Sequence, residues 1–420
     1  MDFKKSSGLF AERTSEVSLV ECPNPKPTAA DKRAFGKLAS LYTAFSGEFA
    51  VFALEYVLSR GCRTIGDPFA GMGTLGEAAR GLPTKLFLND FNPFAVSAAV
   101  FRTAATGDIE EAIEKVLDTA KCLELDGAFD PYLLAMRQVL PDGETARTCL
   151  GNLEEYANRH AVLCMHLLSV ARIAAQKKRK GSNPTWTKKQ TEHGLADLDF
   201  HAALRSTAQL AKIYSASLAA ISPDFSCRIS NEDVTSVSWA SGSMDAIITS
   251  PPYPNRTDYI RHYLPAAEML LDFNEDAERH LRETQIGTPL IRKEGDLVAL
   301  PKSVDDLIER IRTHPSYASE RYYSKGFRYY FEDMARALRK FSDWLVSGGS
   351  AMLVVQDAYY KDVLVRTAEL LSHVAEDCGF IVEDMVEFPV RNSMSRLSPQ
   401  FRATTPKPAL FETVIVLKKP

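Results

Sequence analysis

The sequence predicts an α/β protein with a mostly parallel sheet. Two strand-loop-helix units occupy roughly residues 63–106, and such alternation favours parallel pairing of the strands. Strand-like runs return at residues 228–230 and 244–249, and two more close the chain at 381–390 and 413–417. Because polar or acidic residues follow several of these strands, we expect a ligand crevice at their carboxyl ends, where the strand order reverses.

Helical patterns surround these strands. The periodicity is helical over residues 34–59, with an interruption at Ser46-Gly47-Glu48, and again over 110–219, where no strand is evident. A second helical insertion is predicted at about 264–330. An amphipathic helix over 331–345 should stop at Gly348-Gly349, before a fifth strand at 351–356. A helix over 364–378, closed by Gly379, precedes the last two strands.

Three regions follow from this order. Residues 1–109 hold an N-terminal helix and the first part of the ligand-binding domain, 110–220 a helical insertion, and 221–420 the rest of that domain. At 420 residues the chain is long enough to bury a large core.

The composition is that of an ordinary globular protein. The apolar fraction is 45% and the charged fraction 25%, and no apolar run reaches membrane-spanning length. The first seven residues are too polar for a secretory signal, so we expect a cytoplasmic protein without a membrane partner. The seven cysteines contain no Cys-x-x-Cys pair, which argues against a metal site and a disulfide framework and favours buried or free thiols.

The first motif is the loop from Asp67 to Thr74, which reads Asp-Pro-Phe-Ala-Gly-Met-Gly-Thr and follows a strand-like run. Its glycines let the backbone turn close against a ligand, although their spacing is not the dinucleotide fingerprint. A second strand-like run, Lys85 to Asn89, is followed by Asp90, in the position where a carboxylate accepts hydrogen bonds from a ribose. At the end of a third strand, Asp233 is either an acceptor for an adenine amino group or a solvated loop carboxylate.

The second motif, Ser250-Pro251-Pro252-Tyr253, follows the strand-like run at 244–249. A serine oxygen and the carbonyl of the next residue are two acceptors that take both N–H bonds of a planar base amine and free its lone pair for attack. The prolines stiffen the turn, and Tyr253 offers a flat face for stacking. Taken alone, the tetrapeptide is equally well explained as a turn after a strand.

Together the two motifs resemble those of the S-adenosylmethionine-dependent amino-methyltransferases of DNA, specifically the N4-cytosine type, in a branch associated with restriction-modification systems. The resemblance covers about half the chain and is carried by the loop, by Asp90 and by the tetrapeptide. It implies the class I methyltransferase fold, which is Rossmann-like, with a mostly parallel seven-stranded sheet and an antiparallel last strand. It also implies S-adenosylmethionine as cofactor and double-stranded DNA as partner, and it raises a cognate restriction endonuclease for the same site as a second partner.

The resemblance, together with the strand-end argument, yields a set of site residues. Catalysis is assigned to Ser250, Pro251, Pro252 and Tyr253, and cofactor binding to Asp67, Pro68, Phe69, Ala70, Gly71, Gly73, Thr74, Asp90, Phe91 and Asp233.

Any DNA contact must be a local patch, because the net charge is -4. The basic segment 176–189 is one candidate and a solvated loop the alternative; we assign phosphate contacts to Lys177, Lys178, Arg179, Lys180, Lys188, Lys189 and, beside the tetrapeptide, Arg256. The run from Arg321 to Tyr329, where aromatics alternate with cations, fits either an unstacked strand or a packed helix. Base recognition would fall to the helical insertions.

Other activities stay open or are excluded. Cytosine C5 methylation requires a cysteine nucleophile, usually after a proline, and the sequence has no Pro-Cys dipeptide. Adenine-N6 methylation of DNA and guanine-N2 methylation of RNA use a similar turn and remain alternatives, as does a nucleic-acid-binding module without catalysis. A nicotinamide oxidoreductase is disfavoured by the glycine spacing.

Overall fold

The computed structural model describes residues 17–29, 31, 38, 45–123, 131–175, 200–254, 258–271, 275–291, 298–390 and 409–420. Within these ranges, no helix combines the length and the apolar content needed to cross a membrane. The cysteines all fall inside the ranges, as free thiols.

Seven strands form the main sheet. They are β1 (Thr64–Asp67), β2 (Lys85–Asn89), β3 (Ser226–Ser230), β4 (Met244–Thr249), β5 (Leu345–Gln356), β8 (Ile381–Pro389) and β9 (Phe411–Lys418). Their order across the sheet is β3-β2-β1-β4-β5-β9-β8. β9 runs antiparallel to both of its neighbours, whereas β1 to β5 pair in parallel. The strand order reverses between β1 and β4. This is the Rossmann-like, mostly parallel seven-stranded sheet with an antiparallel last strand that the sequence predicts.

The helices up to β4 are α1 (Gly47–Ser59), α2 (Thr74–Ala79), α3 (Pro93–Thr103), α4 (Thr106–Leu123), α5 (Pro131–Val139), α6 (Ala146–Gly151), α7 (Tyr156–Ala175) and α8 (Phe200–Ser215). Those after β4 are α9 (Tyr259–His262), α10 (Leu264–Leu270), α11 (Glu275–Thr284), α12 (Lys302–Arg312), α13 (Ser324–Trp344) and α14 (Thr367–Asp377). The described part of 110–219 is helical, as predicted. It packs on α3 and shares one apolar core with that helix.

Alternate residues of the sheet face opposite sides, as the two-residue period of a strand requires. In β4, Ala246 and Ile248 join the core beneath α1 and α2, whereas Ile247 joins the core beneath α13. With both faces covered, the run from Ala246 to Ile248 is apolar at every position, as in buried parallel strands. Ligands reach such a sheet at the carboxyl ends of its strands.

The predicted boundary between helix and strand near residue 348 is wrong. Helix α13 begins at Ser324, and β5 follows it without a loop, from Leu345. Gly348 and Gly349 therefore lie within the strand and do not stop the helix. Gly348 lies beside a shift in register between β4 and β5 and has φ +76°. Glycine adopts this backbone conformation at little cost because it has no side chain.

A second difference concerns the region after β5. The short strands β6 (Ala358–Tyr360) and β7 (Val363–Val365) form an antiparallel hairpin that the sequence analysis does not predict. Lys361 stands in its turn with φ +54°, a conformation for which glycine or asparagine is the usual signal. The helix predicted from 364 consequently begins at Thr367.

Candidate functional site

The loop from Asp67 to Thr74 joins β1 to α2 and packs tightly against α3. Gly73 has φ +77°, and a Cβ atom there would lie 2.7 Å from Cα of Ala99. Arg102 of α3 donates to Oγ1 of Thr74 at 3.0 Å and to the carbonyl of Met72 at 3.3 Å. The loop is thus fixed from below by a helix, and its upper side is left for a ligand.

Asp67 lies at the end of β1 and is only 1% exposed. Its Oδ1 accepts from the hydroxyl of Thr249 at 2.6 Å and from the backbone N–H of Phe69 at 3.3 Å. Its Oδ2 is buried and has no hydrogen-bond partner among the described residues. Because burial disfavours the charged form more than these bonds favour it, the pKa of Asp67 is raised to about 7.

Asp90 follows β2 and ties this strand end to the loop. Its Oδ2 accepts from the backbone N–H of Gly71 at 2.8 Å, and its Oδ1 accepts from that of Asn92 at 2.9 Å. Burial raises the pKa of Asp90 to about 6. Each carboxylate oxygen keeps a lone pair for a ligand, which suits the ribose contact expected of this position.

Asn89 connects three strand ends. Its amide donates to the carbonyls of Pro68 at 3.3 Å and Glu232 at 3.0 Å, and its oxygen accepts from the Ser230 hydroxyl at 2.9 Å. The ends of β1, β2 and β3 are therefore held in a fixed relation by one side chain.

The tetrapeptide begins directly after β4. The hydroxyl of Ser250 donates to the carbonyl of Val354 in β5 at 3.1 Å. With its proton held there, the oxygen of Ser250 presents lone pairs, which makes it an acceptor. The hydroxyl of Tyr253 donates to Oε1 of Glu412 in β9 at 3.3 Å, so the turn is attached to both strands beyond β4.

Residues 258–271 and 275–288 brace this turn from the other side. Gly287, with φ +71°, lies so close that a Cβ atom there would be 3.1 Å from the carbonyl oxygen of Tyr253. The backbone N–H of Tyr259 donates to Oε1 of Gln285 at 3.1 Å, and Asp258 forms an ion pair with Arg282 at 2.9 Å. Arg256, which stands beside Asp258 in the sequence, lies outside the described residues.

The loop and the tetrapeptide line one cavity, part of which is open to solvent. Of the site residues that the sequence predicts, it is lined by Phe69, Gly71, Asp90, Phe91, Ser250, Pro251, Pro252 and Tyr253. Five further lining residues are Met72, Asn92, Ala95, Tyr259 and Tyr263. Sequence reasoning does not assign these five, since a motif carries no signal that says which of the side chains in and around it turn toward the ligand.

Other predicted residues stand behind the cavity wall. Asp67, Pro68, Ala70, Gly73 and Thr74 do not line it, and all five are buried. Asp233 does not line it either. Its Oδ1 accepts from the backbone N–H of Thr235 at 2.8 Å and from the Thr235 hydroxyl. That geometry is a local turn, in keeping with the loop carboxylate of the sequence analysis.

The predicted DNA contacts fall into two groups. Lys177, Lys178, Arg179, Lys180, Lys188, Lys189 and Arg256 lie outside the described residues. The run from Arg321 to Tyr329 is a packed, partly buried helical segment, the second of the two alternatives. Tyr322 donates to the carbonyl of Pro289 at 2.6 Å, and Arg328 forms an ion pair with Asp305 at 2.8 Å, so these two side chains are engaged within the protein.

The chemistry of the cavity fits S-adenosylmethionine. Its described lining contains a carboxylate and five aromatic side chains, those of Phe69, Phe91, Tyr253, Tyr259 and Tyr263, and no lysine or arginine. Aromatic faces and carboxylates attract a sulfonium and an ammonium group, whereas the pyrophosphate of a dinucleotide calls for donors and positive charge. Oδ2 of Asp67 is a further acceptor behind the loop.

Known methyltransferases share sequence with part of this chain. No protein-family model matches it. Over 192 residues, 42% of this chain, the sequence is 28% identical to the Type II methyltransferase M.AvaI of Nostoc sp. (strain PCC 7120 / SAG 25.82 / UTEX 2576). The enzyme of the same name from Anabaena variabilis gives the same values. The match spans 38% of the length of these relatives.

Among solved structures, the rRNA methyltransferase aviRa from Streptomyces viridochromogenes aligns with 94% of this chain and 96% of its own. The identity is 12% and the TM-score 0.28. The fold is therefore assigned from the strand order of the sheet. By sequence, the chain is similar to Type II methyltransferases over less than half of its length.

Proposed function

We propose that this protein transfers a methyl group from S-adenosylmethionine to the exocyclic N4 amine of a flipped-out cytosine in double-stranded DNA, within a restriction-modification system. One observation carries the proposal. The loop expected to hold the cofactor and the Ser-Pro-Pro-Tyr turn line the same cavity, and Ser250 in it is held as a hydrogen-bond acceptor by Val354. The partial similarity to M.AvaI favours DNA as the substrate.

The protein has to supply acceptors, alignment and exclusion of water. When bound, the cofactor supplies an electrophilic methyl group on a sulfonium whose leaving group departs neutral, so no general acid is required. The oxygen of Ser250 and the carbonyl of Pro251 accept the two N–H bonds of the amine, which frees its lone pair. The aromatic walls, among them Tyr253 and Tyr259, stack on a base that has left the duplex.

Unstacking a base costs a few kcal/mol, which phosphate contacts must offset. We assign that role to the basic segment at 177–189 and to Arg256. A cognate endonuclease for the same DNA sequence is a proposed partner, and the cytoplasm the proposed location.

Mass spectrometry of nucleosides tests the proposal. Both DNA and RNA are analysed from cells that express the protein. The DNA should contain N4-methylcytosine, and DNA from cells that express Ser250→Ala should lack it. If the DNA contains N6-methyladenine and no N4-methylcytosine, the target base is adenine and not cytosine. If N2-methylguanine in the RNA is the only methylated base, the substrate is RNA. If no methylated base appears although the purified protein binds tritiated S-adenosylmethionine, the chain is a binding module.

A further inference from the structure

A buried carboxylate stands behind the Ser-Pro-Pro-Tyr turn, outside the residues that the two motifs supply. Glu412 is the second residue of β9 and is 7% exposed. In the sheet it lies opposite Gln356 of β5 and Phe388 of β8, neither of which is charged. Burying a carboxylate in such a place costs folding free energy unless the carboxylate is hydrogen-bonded or paired with a positive charge.

One hydroxyl group connects Glu412 to the cavity. Its Oε1 accepts from the hydroxyl of Tyr253 at 3.3 Å. The second oxygen, Oε2, is buried and has no hydrogen-bond partner among the described residues. Tyr253 lines the cavity, so one hydrogen bond links the cavity wall to the carboxylate.

The surrounding charges leave Glu412 able to take up a proton. Burial raises the pKa of its carboxyl, and the Lys26 ammonium and the bond from Tyr253 oppose that rise. Asp357, an acidic residue directly after β5, is engaged by Arg366 at 3.0 Å and by the backbone N–H of Phe411 at 3.2 Å. Burial and the charge of Glu412 raise the pKa of Tyr253 well above its ordinary value, so its hydroxyl stays protonated as a donor.

Methylation of an amine leaves a proton to be removed. The nitrogen forms a bond to the methyl carbon, the bond between carbon and sulfur breaks with its electron pair on sulfur, and the nitrogen holds a positive charge until one N–H bond breaks. A nearby negative charge stabilises the cation as it develops. A base within reach then completes the reaction.

We propose that Glu412 is a positioning residue for methyl transfer, which orients Tyr253 and receives the released proton through Tyr253. The proton from nitrogen passes to the oxygen of Tyr253 as the Tyr253 proton moves to Glu412. The Tyr253 hydroxyl is restored, and Glu412 releases its proton to solvent when the products leave. This inference rests on the proposed function.

Single-turnover kinetics test it, with enzyme in excess over amplified, and therefore unmethylated, bacterial genomic DNA, and with tritiated S-adenosylmethionine. Glu412→Gln keeps an oxygen for the Tyr253 hydroxyl and removes the charge. We expect its rate constant at neutral pH to fall about a hundredfold, a typical loss for a general base. As the pH is lowered, the wild-type rate should fall because Glu412 is protonated. The rate of the variant should change with pH only where the target nucleobase itself is protonated.

A double-mutant cycle separates the relay from an effect on folding. Tyr253→Phe keeps the ring and removes the link, and its combination with Glu412→Gln should be no slower than the slower single variant. Multiplied losses would mean that Glu412 does not act through Tyr253, and a Glu412→Gln rate within twofold of wild type, with an unchanged pH profile, would overturn the inference. If Glu412→Gln does not fold, Tyr253→Phe alone must show the altered pH profile.

Readouts without turnover complete the design. Equilibrium dialysis should give the same dissociation constant for the cofactor in wild type and in Glu412→Gln, and the melting temperature reports folding. Glu387→Gln, an exposed carboxylate on the neighbouring strand β8, is the matched control and should keep the wild-type rate. Absence of methyl transfer by the wild-type protein would instead refute the proposed function.

Discussion

At the scale of single residues, the carboxyl group of Asp67 is buried where its charged form is disfavoured. The folded protein holds it 1% exposed, with a pKa of about 7 in place of the ordinary value of 3.8. Because its folded pKa is raised, Asp67 contributes stability below its unfolded pKa, near pH 4, and this contribution is lost as the pH rises to about 7. The difference corresponds to roughly 4 kcal/mol.

We therefore expect Asp67→Asn to gain on the wild type as the pH rises. Asparagine keeps an oxygen for the bonds from Thr249 and Phe69 and never ionises. The melting temperature of the variant minus that of wild type should be larger at pH 8 than at pH 5, measured by scanning calorimetry without ligand. Asp224→Asn, at an exposed position, is the control and should show no such trend. A difference that does not change with pH would mean that Asp67 is not buried as a charge.

The bonds of single residues also explain how far sequence reasoning reaches. Asp67, Asp90 and Ser250 are predictable because each follows an apolar run, and the carboxyl ends of such runs meet at one edge of a parallel sheet. Glu412 lies 159 positions from Tyr253 and inside a strand, so no local pattern marks it as a partner of that residue.

At the scale of elements, the brace formed by residues 258–271 and 275–288 holds the Ser-Pro-Pro-Tyr turn in position. Gly287 combines φ +71° with a 3.1 Å approach to the carbonyl of Tyr253. Gly287→Ala should lower the stability by about 1–2 kcal/mol through backbone strain alone. It should also push the turn away and lower methyl transfer at least tenfold, since small displacements of a reacting group are costly.

Gly242→Ala provides the comparison. Gly242 has φ +58°, and a Cβ atom there would meet nothing within 4 Å. Both variants should melt at similarly reduced temperatures, and only Gly287→Ala should lose single-turnover rate. Equal rates in the two would show that the turn does not depend on the brace.

Element boundaries follow the same division between local and distant causes. β2 and β4 begin and end where the sequence predicts, because their apolar runs are bounded by polar or turn residues. The junction of α13 with β5 is not predictable in this way. A glycine pair is an ordinary stop signal for a helix, but here it lies at a shift in register between β5 and β4. That shift depends on pairing with β4, which is distant in the sequence.

At the scale of the whole molecule, the net charge of -4 means that the proposed DNA binding would be confined to a patch. Replacement of Lys177, Lys178, Arg179 and Lys180 by alanine should weaken DNA binding and flatten its dependence on salt. The slope of log K against log salt should become shallower by about 0.9 for each phosphate that the protein no longer neutralises. Fluorescence anisotropy with a labelled duplex measures both quantities.

Arg312→Ala is the control for that experiment. Arg312 forms ion pairs with Glu309 and Glu320, so its charge is already balanced within the protein. Its removal should leave the salt slope unchanged. A basic-segment variant with the wild-type slope would assign the phosphate contacts to another surface.

The position of β9 in the sheet has a consequence for biosynthesis. β5 is one of the inner strands, yet its neighbour on one side, residues 411–418, follows the other six strands of the sheet in the sequence. Until the ribosome has released that segment, a nascent chain exposes an unpaired edge of β5, which is prone to pair with other chains. The same segment carries Glu412, whose carboxylate contacts Tyr253. A translation product that stops before β9 therefore lacks both the strand that pairs with β5 and the contact that holds Tyr253.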